Sequence, residues 1–462
     1  MTEKMTIENP LGTQPINKLI WKFSIPGIIS QLVNSAHNIV DQAFLGWGVN
    51  DLAIGATNVA FPFTTIMTAI SALIGMGAVS HFSILLGKKQ TENAAKYLGN
   101  AITLVSVFGI LITVVASIFL EQILYLFGAT DLIMEYAFPY ARVICFGIPF
   151  GIFATAMSYF VRADGSPAYA SAILLSGAIF NIVFDPIFLF LFNMGITGIA
   201  LATVLGQVLS AILAALYLFR KMKTVAVDPK NLRIQRDVVY GIFALGAAIF
   251  FNHILATFVQ IVMMNAMRTY GALSVYGSEV VIAASGAVSK LSIVFLSSII
   301  GIAIGCQPIL GYNLGNKKYE RVRKTYLLAI RYGTTIAVAA FLVLQLFPGT
   351  LLKLFGSDDP LFYEFATRYI RIYFAMMFFN ALQPVTSTFC TAIGKAKMGF
   401  WMTIVRQGIL MLPLILILPL FFGIDGVLLA GSISDAVAAF VVIVIGYREV
   451  KQLKKLQDEV LL

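Results

Sequence analysis

The chain has 462 residues, 59% of them hydrophobic and only 12% charged, with a formal net charge of +10 and a mean hydropathy of +0.89. A soluble domain carries about 25% charged residues, so a soluble enzyme or binding module is excluded. The basic excess sits in short connections between apolar runs, a placement that argues against nucleic acid as a partner.

Residues 1–17 form a polar tail without a small-residue cleavage site after the first apolar run, so no removable signal peptide is expected. Apolar runs of roughly 20 residues, the length that spans a bilayer as helix, then recur along the whole chain. They begin near Leu19, Asn58, Ala95, Tyr136, Tyr169 and Ile199, and again near Val238, Val280, Tyr326, Phe362, Phe400 and Val427. The runs lack strict alternation, which favours helices over a barrel of short strands. The expected fold is an all-α polytopic membrane protein with twelve transmembrane helices in two pseudo-symmetric six-helix bundles. Its parts are lobes at residues 18–219 and 238–447, a linker at 220–237 and a tail at 448–462. Lys and Arg collect in alternate connections, as in Lys88-Lys89, Arg220-Lys221 and Lys317-Lys318, while residues 47–57, 120–135 and 192–198 have none. The positive-inside rule then puts both termini and the linker in the cytoplasm. Anionic lipid head groups are the expected partners of the basic surplus.

The first span holds Pro26-Gly27, a kink signal and a candidate switch, and then Asn34, His37, Asn38 and Asp41. Their helical spacing makes one polar stripe facing away from lipid. A carboxylate at membrane depth costs about 2.5–3.5 kcal/mol and marks a functional site by default. Tyr140 and Thr203 bring hydroxyls into the fourth and sixth spans. In the fifth, Asn181 and Asp185 share a helix face, and Pro186 frees a backbone carbonyl one turn back. Two carboxyls facing one cavity titrate as a coupled pair, which suits reversible loading of H⁺ or, alternatively, Na⁺ at Asp41 and Asp185.

In the second half the polar residues within spans are expected to be neutral, apart from Lys290 and Arg406. Asn252, His253, Met263, Met264, Met376 and Gln383 are candidates for a broad drug cavity there, with Asn34, His37 and Asn38 in the first half. Met and aromatic walls make adaptable surfaces that attract organic cations. Cys145, Cys306 and Cys390 form no close pair, so neither a disulfide framework nor a zinc site is expected. No phosphate loop or nucleophile elbow is present, which argues against ATP coupling and against an enzyme.

The chain also reads twice. Gly77, Gly87, Phe127-Gly128 and Gly195-Ile196-Thr197-Gly198 return 228 residues later as Gly305, Gly315, Phe355-Gly356 and Gly423-Ile424-Asp425-Gly426. Parallel repeats of this kind bear their site inside or between the halves. The acids break the symmetry: Asp41 and Asp185 are matched by Thr269 and Pro413.

Three stretches are similar to the multidrug and toxic compound extrusion (MATE) family. They are Ile39-Val40-Asp41 with Phe44-Leu45-Gly46, Asn181 to Pro186, and Gln307-Pro308-Ile309-Leu310-Gly311-Tyr312-Asn313-Leu314-Gly315. The ending of the last resembles the bacterial drug-exporter subgroup that includes staphylococcal members. The resemblance implies two six-helix lobes around a V-shaped cleft and exchange of a drug for H⁺ or Na⁺. It places a cation-coupling site on Asp41, Asn181, Asp185, Tyr140 and Thr203, with Pro26 as the bend. Sodium-coupled members have Glu after the Phe-Phe pair of the seventh helix, whereas Asn252 follows Phe250-Phe251 here.

The expected activity is therefore cation-coupled, chiefly proton-coupled, export of hydrophobic and cationic drugs by alternating access in the inner membrane. No cofactor is expected, and a monomer suffices because one chain contains the whole cleft. The alternatives are a Na⁺-coupled drug antiporter and a flippase of lipid-linked precursors from the same superfamily.

Overall fold

The computed structural model describes residues 9–49, 51–353 and 359–461. The side chains of a few residues within these segments, Asn38 among them, fall outside the description, as do Phe355 and Gly356. Six long helices build the first lobe: α1 (Ile16–Gly48), α2 (Asp51–Gly87), α3 (Thr91–Ile118), α4 (Asp131–Ala163), α5 (Pro167–Pro186) and α6 (Gly195–Arg220). The second lobe repeats them as α7 (Arg236–Ala272), α8 (Gly277–Gly315), α9 (Tyr319–Leu346), α10 (Pro360–Tyr373), α11 (Ala396–Phe422) and α12 (Ile424–Leu461). Among the described residues, ten helices are long and apolar enough to cross a membrane. The other two spans are α1, which carries the polar stripe, and α10, which breaks after Tyr373 and resumes as Leu382–Ala392. The chain is thus a multi-pass membrane protein with the twelve-helix arrangement.

Two helices leave regular α geometry near a proline. α5 runs on into a π-helical turn, Ile187–Leu191, directly after Pro186, and α11 is π-helical over Ile404–Met411, two residues before Pro413. Proline lacks the N–H that would close the ladder, and a π-bulge absorbs the misfit. α1, by contrast, is continuously helical through Pro26, whose carbonyl accepts from Ser30 Oγ at 2.9 Å.

The lobes meet along α1 with α8, α2 with α7, and α2 with α8. Small residues let the backbones touch: Gly27 lies on Gly301, Gly77 on Gly246 and Gly87 on Gly315. Gln307 Nε2 donates across the seam to Ser80 Oγ at 3.1 Å. Asn313 Nδ2 donates to Leu11 O at 2.9 Å, and Arg321 Nη2 to Gln14 O at 2.7 Å, so the segment before α1 is tied to the end of α8. The motif from Gln307 to Gly315 therefore joins the lobes at the end bearing the Lys88-Lys89 and Lys317-Lys318 turns. The linker is held on the same side. Asn100 Nδ2 donates to Asn231 O and Arg233 O, each at 3.2 Å, and buried Asp164 accepts from Tyr217 Oη, Lys223 N, Thr224 N and Thr224 Oγ1.

Candidate functional site

Four helices of the first lobe converge on one polar cluster. Asn181 and Asp185 stand one turn apart on α5, at 1% and 0% exposure, so both belong to the lobe interior. Asn181 Nδ2 donates to Asp185 Oδ1 at 3.0 Å and to Thr203 Oγ1 of α6 at 2.9 Å. Thr203 Oγ1 in turn donates to Ile199 O at 3.1 Å. Asp41 reaches in from α1, and its carboxyl and that of Asp185 are in hydrogen-bonding contact. Tyr140 of α4 lies within electrostatic reach of both acids. His37 Nδ1 stands 3.0 Å from Asp41 Oδ1 as a contact without hydrogen-bond alignment.

The cluster is rich in acceptors and poor in donors. Asn181 Oδ1, Asp185 Oδ2 and Asp41 Oδ1 are buried and have no hydrogen-bond donor among the described residues. A buried oxygen without a donor costs about 1–3 kcal/mol, and three in one place are relieved by anything that brings positive charge. A proton does this as a carboxyl O–H, and a small hard cation does it by coordination.

The structure thus brings Asp41, Asn181, Asp185, Tyr140 and Thr203 together. The drug-cavity candidates are scattered. Asn34 is exposed on α1, and the Asn38 side chain falls outside the described residues. Asn252 and His253 are half-buried on α7, Met264 is exposed, Met263 packs into the second-lobe core, and Met376 lies in the break of α10. Gln383 takes part in a separate cluster, donating to Thr403 Oγ1 at 3.1 Å.

That second cluster corrects one sequence expectation, that the second-half spans hold no acid. Asp435 of α12 is buried and accepts from Arg406 Nε of α11 at 2.7 Å. A guanidinium at membrane depth needs a partner, so Arg406 was itself the signal for an acid on a neighbouring span. Asp435 escapes a comparison of the halves keyed to the first-half acids because its repeat counterpart is Gln207.

Comparison with known proteins bears on the family and the fold. The MatE family model matches residues 26–187 and 248–417. The multidrug export protein MepA of Staphylococcus haemolyticus (strain JCSC1435) is 25% identical over 433 residues, covering 94% of this chain and 93% of that protein. MepA of Staphylococcus aureus (strain MRSA252) is 26% identical over 436 residues, 94% of each. Among solved structures, an outward-facing multidrug resistance MATE transporter of the MOP superfamily superposes with a TM-score of 0.89 at 23% identity, covering 96% of this chain and 98% of that one. A MOP superfamily transporter from Pyrococcus furiosus gives the same TM-score, identity and coverage.

Proposed function

The chain belongs to the MatE family, a family of membrane transporters, and from that premise we propose that it exports hydrophobic organic cations in exchange for protons. The observation that supports this reading is the first-lobe cluster, with three buried acceptor oxygens lacking donors beside two carboxyls in contact. A proton entering from the outer side loads the Asp41–Asp185 pair, removes the negative charge that holds a cationic drug, and releases the drug outward. The lobes then rock about the seam of α1, α2, α7 and α8, and loss of the proton to the inside restores affinity. Asn181 positions Asp185 and Thr203 throughout. On this reading the protein works as a monomer in the inner membrane, with both termini and the basic turns in the cytoplasm.

The test is ethidium transport in everted membrane vesicles across an imposed pH gradient, with and without Na⁺. The expected result is uptake that needs the gradient, ignores Na⁺ and is abolished by both Asp41→Asn and Asp185→Asn. Uptake that follows Na⁺ instead would assign the same oxygens to sodium. Uptake absent in the unmodified protein, or unchanged in both variants, overturns the reading and brings the flippase alternative forward.

A further inference from the structure

The second-lobe cluster joins the same two helices of the repeat as the first-lobe site, about one turn away along each, since Arg406 and Asp435 match Ala178 and Gln207. In the first lobe Asn181 and Thr203 join α5 to α6; in the second Arg406 and Asp435 join their counterparts α11 and α12. Its charge character differs. The first-lobe cluster centres on two carboxyls, whereas here a guanidinium is paired with a single acid. The pair flanks a cavity of about 10 Å³, room for about one water or one ligand oxygen, whose other walls include Phe379, Asn380 and Gln383. The irregular backbone around it is the break in α10 and the π-helical stretch that holds Arg406, and π-bulges are frequent at functional sites.

Arginine has five N–H donors in a planar fork. Nε and Nη2 are both spent on Asp435 Oδ1, at 2.7 Å each, and Nη1 reaches Gln383 Oε1 at 3.3 Å. One N–H on each terminal nitrogen remains without an acceptor among the described residues, free to meet one oxygen of a carboxylate in a charge-assisted hydrogen bond. Gln383 is fixed by Thr403, which is itself tied to Gly399 O, so the fork is held from behind. The side chain of Arg406 is 24% exposed and that of Asp435 only 5%. An incoming group therefore meets the guanidinium first.

We propose that Arg406, steadied by Asp435 and Gln383, is a carboxylate-binding subsite for zwitterionic amphiphiles. The inference rests on the drug-export reading and narrows its substrate class. A compound with a cationic centre and a carboxylate is served at its cationic end by the acidic first lobe and at its anionic end by the second lobe. Asp435 limits the strength of the subsite, since it shares the same guanidinium, and so permits release.

A matched dye pair tests this: a rhodamine bearing a free carboxylate and its methyl ester, which differ only in that group. Binding to the full-length protein in nanodiscs is read by fluorescence anisotropy, and transport in proteoliposomes. The variants are Arg406→Lys and the double variant Arg406→Gln/Asp435→Asn, which removes both charges together and so avoids leaving a buried charge unpaired. The expected result for the double variant is a loss in affinity for the carboxylate dye of about tenfold or more, the worth of a charge-assisted hydrogen bond, with the ester unaffected. Arg406→Lys keeps the charge but loses the fork, and falls between. Equal effects on both dyes, or none on the carboxylate dye, overturn the subsite. An unmodified protein that handles the ester but not the carboxylate dye overturns the subsite alone; one that handles neither overturns the export reading as well.

Discussion

Gly301→Ala tests whether the seam between α1 and α8 is the surface on which the lobes rock. A Cβ at position 301 would lie 2.7 Å from Ile28 N and 2.8 Å from Ile28 Cα, where ordinary contact begins at 3.4 Å. Ile28 Cγ1, at 2.6 Å, can turn aside, but the other two are backbone, so no rotamer change relieves them and the helices must part by about 0.7 Å or strain. Overpacking of this kind costs about 1–3 kcal/mol. If the seam opens in the other state, only the closed arrangement bears that cost, and the equilibrium moves about 5- to 150-fold toward it. The assay is the distance distribution between spin labels at Lys88 and Lys317, two exposed positions on the Lys88-Lys89 and Lys317-Lys318 turns. Gly286→Ala is the control, since it lies on the same helix with open space at its Cβ and gains the same helix propensity. A longer-distance population should rise in Gly301→Ala and not in the control. Identical distributions in the two variants would refute the seam as the moving surface.

Asn181→Ala removes the amide that holds Asp185 and Thr203 together, and export efficiency should fall about tenfold or more; unchanged dye efflux would show that Asp185 needs no positioning. Asp164→Ala strips three hydrogen bonds from the start of the linker and one from Tyr217 of α6 and should destabilise the protein by about 3 kcal/mol. The three buried free cysteines report this directly, through the temperature at which a thiol-reactive dye gains access, and an unmoved midpoint would count against the linker tie. Export of a monovalent dye should respond to a pH gradient but not to a potassium diffusion potential in proteoliposomes; a voltage-driven rise would mean that more than one proton enters per dye.

Much of this was legible in the chain because the membrane imposes a simple rule. Helix starts read from apolar runs, near Leu19, Ala95, Tyr169 and Val238, fall within a few residues of Ile16, Thr91, Pro167 and Arg236. Asp185 was conspicuous because a lone acid amid Ile, Val and Phe has no bland explanation. Asp435 met the same criterion, well inside α12, but a comparison of the halves keyed to Asp41 and Asp185 passes over it because its counterpart is Gln207. Its ion pair with Arg406 spans 29 residues, and no local periodicity encodes such a contact. The breaks were harder still. Pro186 and Pro413 announce irregularity, but nothing in Phe374–Ala381 shows that α10 stops there, because that break is set by packing against α9 and α12.

Two acids in the first lobe suggest two protons per cycle, but a pair that always shares one proton would load only one. A hydrogen bond between two carboxyl groups requires a proton on one of them, because a carboxylate pair has no donor. If Asp41 and Asp185, which act on each other's charge, share one proton throughout the cycle, a single further proton is loaded and lost per turnover. Provided the pair stays together, the difference between loaded and unloaded forms is a single charge. Expelling a monovalent cation against 100 mV costs about 2.3 kcal/mol, and one entering proton returns the same amount. Exchange is then electrically silent and is driven by the proton gradient alone. A zwitterion changes the sum: it carries no net charge, so the same proton moves one charge inward and the membrane potential assists its export. If Arg406 selects zwitterions as proposed, the second lobe decides whether voltage powers the chemistry of the first.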